Sequence, residues 1–234
     1  MSYQLDYPIS VAEAPAEARA AFIRRTYGHL AGAILAFIGL EALLLQLPGI
    51  EEVVVGMAGS KLSWLVIIAA FMGVSYLADA WARSDQSPAL QYVGLGLYVA
   101  VEAVIFLPLL YMASVFYPSA IQTAGILTLM VFGGLTVAVF TTRGDYSSLG
   151  PILSVGGFVA LGTIIASMIF GFSLGLFFCF AMVALASGSI IYQTSNILHH
   201  YRTDQHVAAS LALFASVMLL FWYILRIILL SRRD

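Results

Sequence analysis

Seven long apolar runs constrain this chain more than any other feature of its sequence. They lie at roughly residues 27–48, 62–79, 90–112, 119–141, 150–170, 174–198 and 207–230. A helix of about 20 apolar residues crosses the hydrocarbon core of a bilayer. Because lipid offers no partners to the backbone, such runs must form helices that satisfy their own hydrogen bonds. The runs therefore predict an all-α, polytopic membrane protein with seven transmembrane helices.

The composition agrees with a chain that is embedded in lipid. Of the 234 residues, 62% are hydrophobic and only 9% are charged, whereas a soluble domain carries about 25% charged residues. The net charge of −2 argues against nucleic acid as a partner, because that function requires a basic face. The single cysteine, Cys179, rules out a disulfide within the chain and a zinc site built from cysteines.

The connections between the runs are short, so we expect one transmembrane domain at residues 21–234, preceded by a polar cytoplasmic tail at residues 1–20. Arginine and lysine accumulate in cytoplasmic loops. With the N-terminus inside, the outer loops hold only Lys61, and the inner segments hold Arg19, Arg24, Arg25, Arg83, Arg143 and Arg202. We therefore expect the C-terminus outside. Arg232 and Arg233 favour the alternative, in which the last run does not cross and both termini are inside.

Five ionisable residues fall within or beside the runs: Glu41, Glu102, Arg226, His29 and Asp79. Burying such a group in a membrane costs a few kcal/mol, so each is a functional hypothesis. Glu102, near the middle of the third run, either relays protons or hydrogen-bonds between helices, and we favour the structural role. Glu41 and Arg226 fall at a similar depth. They either form an ion pair, or Arg226 extends outward alone.

A polar stripe ends the sixth run, in the segment "SIIYQTSNILHH" at 189–200. Helical spacing places four of its side chains on one face: Ser189, Gln193, Asn196 and His200. The last run begins with small residues at a matching spacing: Ala208, Ala212 and Ser216. Small residues let membrane helices approach closely. We therefore predict that Gln193 and Asn196 hydrogen-bond to the last helix.

Two other patterns have simpler interpretations. His199, His200 and His206 with Asp204 suggest a metal site, but their spacing matches no ligand motif. We therefore favour a solvated loop without a metal. The segment "GHLAG" at 28–32 is a pattern of small residues four apart, which indicates helix packing.

The sequence lacks the motifs of several membrane enzymes and photoreceptors. Its only lysine, Lys61, lies in a loop and cannot hold retinal. There is no zinc-protease H-E-x-x-H pattern and no phosphate-binding loop, and no histidine lies at the depth of the serines in "ASGS" (186–189). We expect neither catalytic residues nor a cofactor.

Several segments resemble the Bax-inhibitor-1 family of membrane proteins. "FTTRGDYSSLG" (140–150), which holds Arg143 and Asp145, is similar to the loop after that family's fourth span. "YQTSNILHH" (192–200) resembles the end of its sixth span, and "SLALFAS" (210–216) resembles part of its seventh. "FIRRTYGHLAGAILAF" (22–37) is similar to its first span. The resemblance implies a seven-helix bundle with the last helix at its centre.

In some members of that family, two aspartates in the last two spans form a pH-sensitive calcium gate. The matching positions here are Gln193 and Ser216. A close carboxylate pair titrates because its like charges resist joint ionisation, whereas an amide and a hydroxyl have no such response. We therefore expect this chain to lack that gate.

The bacterial YccA-type branch resembles the chain more closely, with a similar loop motif, a similar end to span six and a serine in span seven. The resemblance implies a bacterial inner-membrane protein that contacts the lipid bilayer and modulates the protease FtsH, engaged through its N-terminal tail. One alternative is a calcium or proton leak lined by ionisable residues: Glu41, Glu102, Asp79 and Arg226. A bundle with only structural or lipid-interacting roles is the third possibility.

Overall fold

The structure, a computed structural model, describes residues 10–84 and 87–232 of the chain. These residues form eight helices and no β-sheet. The helices are α1 (Ala16–Leu44), α2 (Ile50–Ala58), α3 (Lys61–Ala82), α4 (Pro88–Phe116), α5 (Pro118–Thr142), α6 (Leu149–Phe170), α7 (Leu176–His199) and α8 (His206–Ser231). Seven of them are long and apolar enough to cross a bilayer. The predicted all-α fold with seven spans is therefore confirmed.

The structure departs from the predicted spans at two places. Helix α1 begins at Ala16 rather than near residue 27, because its first turns are polar and carry no hydropathy signal. It therefore starts inside the segment assigned to the tail, of which residues 1–9 lie outside the described part of the chain. Helix α2 was not predicted. It has only nine residues, too few to span a membrane.

Local chemistry explains several helix ends. The Ser60 and Ser87 hydroxyls accept hydrogen bonds from the backbone N–H groups of Ser63 and Leu90, at the starts of α3 and α4. These serines satisfy donors that the first helical turn leaves open. Pro118 begins α5, where a missing N–H costs nothing. Gly171 ends α6 with a φ of 78°, a conformation that favours glycine.

Helix α8 lies at the centre of the bundle. It contacts α1, α3, α4, α5 and α7 and contains more buried residues than any other described helix. By contrast, Ala160 is the only buried residue of α6, so α6 lies at the periphery. Short side chains near the start of α8, among them Ala208, Ala209 and Ser210, are fully buried. They allow the surrounding helices to approach.

The two glycines of "GHLAG" in α1 do not pack in this way, so the interpretation of this segment as a packing motif was wrong. A Cβ added at Gly28 or Gly32 would meet no atom within 4 Å outside its own helix. Helix α4 shows the opposite case at Gly94. There a Cβ would lie 2.6 Å from the Ala78 carbonyl oxygen and 2.8 Å from the Ala82 nitrogen of α3. Gly94, rather than the glycines of α1, permits close helix contact.

Candidate functional site

Two serines join α7 to α8 where the polar stripe meets the small-residue face. The Ser189 and Ser216 hydroxyl oxygens are 2.9 Å apart. Ser216 also donates a hydrogen bond to the Ala212 carbonyl oxygen, at 3.0 Å. Since Ser216 has only one proton, Ser189 must donate the bond between them. This contact, which we call the α7–α8 seam, is closed by uncharged groups, and Ser216 is only 4% exposed.

The predicted hydrogen bonds from Gln193 and Asn196 to α8 were wrong. Both side chains are half-buried, and within residues 10–84 and 87–232 neither makes a hydrogen bond to α8. The two helices approach closely enough for two short hydroxyl side chains to meet. Ser189 and Ser216 therefore form the hydrogen bond between the helices that the longer amide side chains were expected to form. The absence of a two-aspartate gate at Gln193 and Ser216 stays a prediction from the family resemblance.

The loop before α6 is held against the end of α7, which brings together two of the motifs found in the sequence. The buried Ser195 hydroxyl accepts a hydrogen bond from the Tyr146 N–H at 2.8 Å and donates one to the Gly144 carbonyl oxygen at 3.3 Å. His200 lies 3.1 Å from both carboxylate oxygens of Asp145. Of the predicted polar stripe, His200 therefore binds this loop rather than α8.

The electrostatics of this loop favour an ionised Asp145. The backbone N–H of Ser147 and the ring of His200 donate hydrogen bonds to its carboxylate, and they lower the pKa of Asp145 from 3.8 to about 2. Arg143, the residue at the end of α5, has a φ of 50°. This left-handed conformation is uncommon for a residue with a side chain, and it turns the chain from α5 into the loop.

Residues 10–14, which we call the N-terminal strap, dock on the same end of the bundle. Val11 is fully buried, and its N–H donates a hydrogen bond to the Tyr201 carbonyl oxygen at 2.8 Å. The Arg19 guanidinium donates to the carbonyl oxygens of Val11 and Ala12, at 3.0 and 2.6 Å. No sequence motif predicted this contact, because a turn of five residues has no periodicity to detect.

The two glutamates within the apolar spans are buried, and few of their carboxylate oxygens have a hydrogen-bond partner in the described chain. Glu41 is 4% exposed and Glu102 is 6% exposed. Within the part of the chain that the structure describes, both carboxylate oxygens of Glu41 and one of Glu102 are buried without a hydrogen-bond partner. Arg226 is half-buried and forms no ion pair with Glu41, so that alternative was wrong. Near the end of α3, Asp79 accepts a hydrogen bond from Arg83 at 2.8 Å.

Comparison with known proteins gives matches along nearly the whole chain. The model of the family described as inhibitor of apoptosis-promoting Bax1 matches residues 19–234. The uncharacterized protein PA2604 of Pseudomonas aeruginosa is 30% identical over 97% of this chain and 97% of its own length. Protein LIFEGUARD 4 of Arabidopsis thaliana is 28% identical over 94% of this chain and 88% of its own.

A shorter match links the chain to a named regulator of proteolysis. The modulator of FtsH protease YccA, from Escherichia coli, is 32% identical over 108 residues. The match covers 46% of this chain and 49% of YccA.

Proposed function

Because the chain belongs to the Bax-inhibitor-1 family of membrane proteins, we propose that it acts by binding, as a modulator of the membrane protease FtsH in a bacterial inner membrane. The similarity to YccA, which is named as a modulator of that protease, is the observation that carries the proposal. In this proposal the N-terminus is cytoplasmic, as the arginine distribution predicts. Seven crossings then leave the C-terminus in the periplasm.

The contacts at the N-terminal end support a binding role. A protease that grasps the N-terminus must first detach the strap, which is held by the buried Val11 and by the two hydrogen bonds from Arg19. It must then extract α1, which packs against the central α8. Both steps cost free energy before any residue is cleaved. A chain of this kind would stay bound to the protease for a long time and would be degraded slowly.

The first test is co-purification of the full chain with FtsH from membranes, followed by measurement of the chain's half-life in the presence of the purified protease. We expect stable association and slow degradation. Arg19→Gln removes the hydrogen bonds to the strap and is expected to shorten the half-life. Glu17→Gln, which changes an exposed residue of the same helix, serves as the control and is expected to leave the half-life unchanged.

Two outcomes would count against this function. If the chain does not bind FtsH, or if deletion of residues 1–9 leaves the protease activity toward other substrates unaltered, the proposal fails. Equal half-lives of the wild type and Arg19→Gln would remove the strap from the mechanism while leaving the association in place.

An ion leak is the second candidate, and the buried Glu41 and Glu102 are the observation that favours it. Carboxylates without partners are costly within a membrane and are found along ion and proton pathways. In liposomes, such a leak would give calcium or proton flux that Glu102→Gln abolishes. Absence of flux at every pH would remove this candidate.

A further inference from the structure

A long open groove runs between α1 and α4 on the outside of the bundle. Its volume is about 900 Å³, near the top of the range of about 300–1,000 Å³ that is usual for ligand sites. Leu40 and Leu43 of α1 and Leu95 and Val99 of α4 line its apolar part. Arg24 and Arg25 lie at its other end. The groove is therefore apolar along most of its length and basic at one end.

Glycines keep this groove open. Gly28, Gly32 and Gly39 of α1 and Gly96 of α4 line it, and a Cβ at any of the four would meet nothing within 4 Å. No part of the described chain fills the space beside them. From Arg25 to Leu43 the helix rises about 27 Å at 1.5 Å per residue. This length is comparable to the hydrocarbon thickness of a bilayer.

His29 also lies at the basic end of the groove, but its ring makes contacts within the protein. His29 Nδ1 lies 2.6 Å from the Arg25 carbonyl oxygen, and because a carbonyl only accepts hydrogen bonds, Nδ1 carries a proton. His29 Nε2 lies 3.2 Å from the Tyr92 hydroxyl, which in turn lies 3.4 Å from His206 Nε2. Both ring nitrogens of His29 are therefore engaged within the protein, whereas Arg24 and Arg25 line the opening.

No carboxylate neutralises the two arginines in the described part of the chain. The ion pairs there involve Arg83 and Arg202, together with the contact of His200 and Asp145, and both Arg24 and Arg25 are exposed. Unpaired guanidinium groups recognise phosphate through several N–H donors. A basic pocket between transmembrane helices is a feature that binds the headgroups of anionic lipids.

We propose that the α1–α4 groove binds an anionic phospholipid. Arg24 and Arg25 contact the phosphate, and an acyl chain lies along Gly28, Gly32 and Gly96. The charge at the opening and the apolar length behind it match the two parts of such a molecule. The site is separate from the α7–α8 seam and does not depend on binding to FtsH.

Native mass spectrometry of the purified full chain tests this site, with phosphatidylglycerol and phosphatidylcholine as probes. We expect a one-to-one complex that forms preferentially with phosphatidylglycerol. The Arg24→Gln/Arg25→Gln double variant should weaken it by about tenfold or more. Gly32→Leu should also weaken it, because the added side chain would occupy the groove.

Matched controls separate the groove from the general surface. Arg143→Gln/Arg232→Gln removes the same charge elsewhere, and Gly73→Leu fills open space beside α3, where a Cβ also meets nothing within 4 Å. Both controls should keep the complex at its wild-type strength. Binding that is equal for the two lipids, or that falls equally in controls and groove variants, would overturn the proposal. A dimer that Gly32→Leu dissociates would assign the groove to a second copy of the chain and would also overturn the proposal.

Discussion

The α7–α8 seam and the α1–α4 groove use small residues for opposite purposes. At the seam, Ser189 and Ser216 meet at 2.9 Å and close the contact between two helices. In the groove, Gly28 and Gly32 face open space. The two regions look alike in the sequence, as small residues spaced four apart in apolar helices. The difference teaches that small residues permit a close approach but do not choose what approaches, because that choice depends on the neighbouring helices.

Gly94 and Gly96 of α4 give the largest expected contrast between a closed and an open position. Gly94→Ala would place a methyl group against the backbone of α3, and such overpacking typically costs about 1–3 kcal/mol. Gly96→Ala enters the groove, where the change should be neutral or slightly stabilising. Thermal unfolding in detergent measures both. Equal losses of stability would contradict the distinction.

Ser195 tests how firmly the α6 loop is held on the end of α7. Ser195→Ala leaves the N–H of the half-buried Tyr146 without its partner, and the loss of such a hydrogen bond costs about 0.5–1.5 kcal/mol. We expect a lower unfolding temperature and faster hydrogen exchange at residues 144–147. Ser154→Ala is the matched control, because Ser154 is exposed and bonds only to a carbonyl of its own helix. Unchanged exchange in Ser195→Ala would show that the bond does not hold the loop.

The hydrogen bond of the seam should contribute less. A double-mutant cycle with Ser189→Ala and Ser216→Ala isolates its energy, and bonds of this kind between membrane helices average about 0.6 kcal/mol. Stability in a denaturing detergent series gives the four values that are needed. A coupling energy of zero would mean that packing alone closes the seam.

Asp145 should give the smallest effect, and that effect should depend on pH. Its pKa is lowered from 3.8 to about 2, so its ionised form stabilises the fold above pH 3.8, and this contribution is lost as the pH falls toward 2. Asp145→Asn should therefore unfold at a slightly lower temperature than the wild type at pH 7. The gap should shrink between pH 3.8 and 2. A gap that is constant over that range would contradict the assignment.

The sequence allows prediction of much of the fold, because a bilayer imposes strict length and polarity rules on a helix. It gives the seven spans, and its small-residue pattern and family resemblance both point to a central α8. The sequence predicts fewer of the contacts at the candidate site. Ser189, and not Gln193 or Asn196, hydrogen-bonds to α8, and Glu41 remains without Arg226. Both errors arise because helical spacing fixes which face a residue occupies, whereas its partner depends on how the helices pack.

Cysteine accessibility tests the contrast between seam and groove most directly. The native Cys179 is the only cysteine and is fully buried. In a Cys179→Ala background, one new cysteine is therefore the only thiol that can react. In detergent, after bound lipid has been removed, Gly28→Cys should react readily with a maleimide, and Ser216→Cys should react only after denaturation. Equal reactivity of the two thiols in the folded protein would contradict a closed seam beside an open groove.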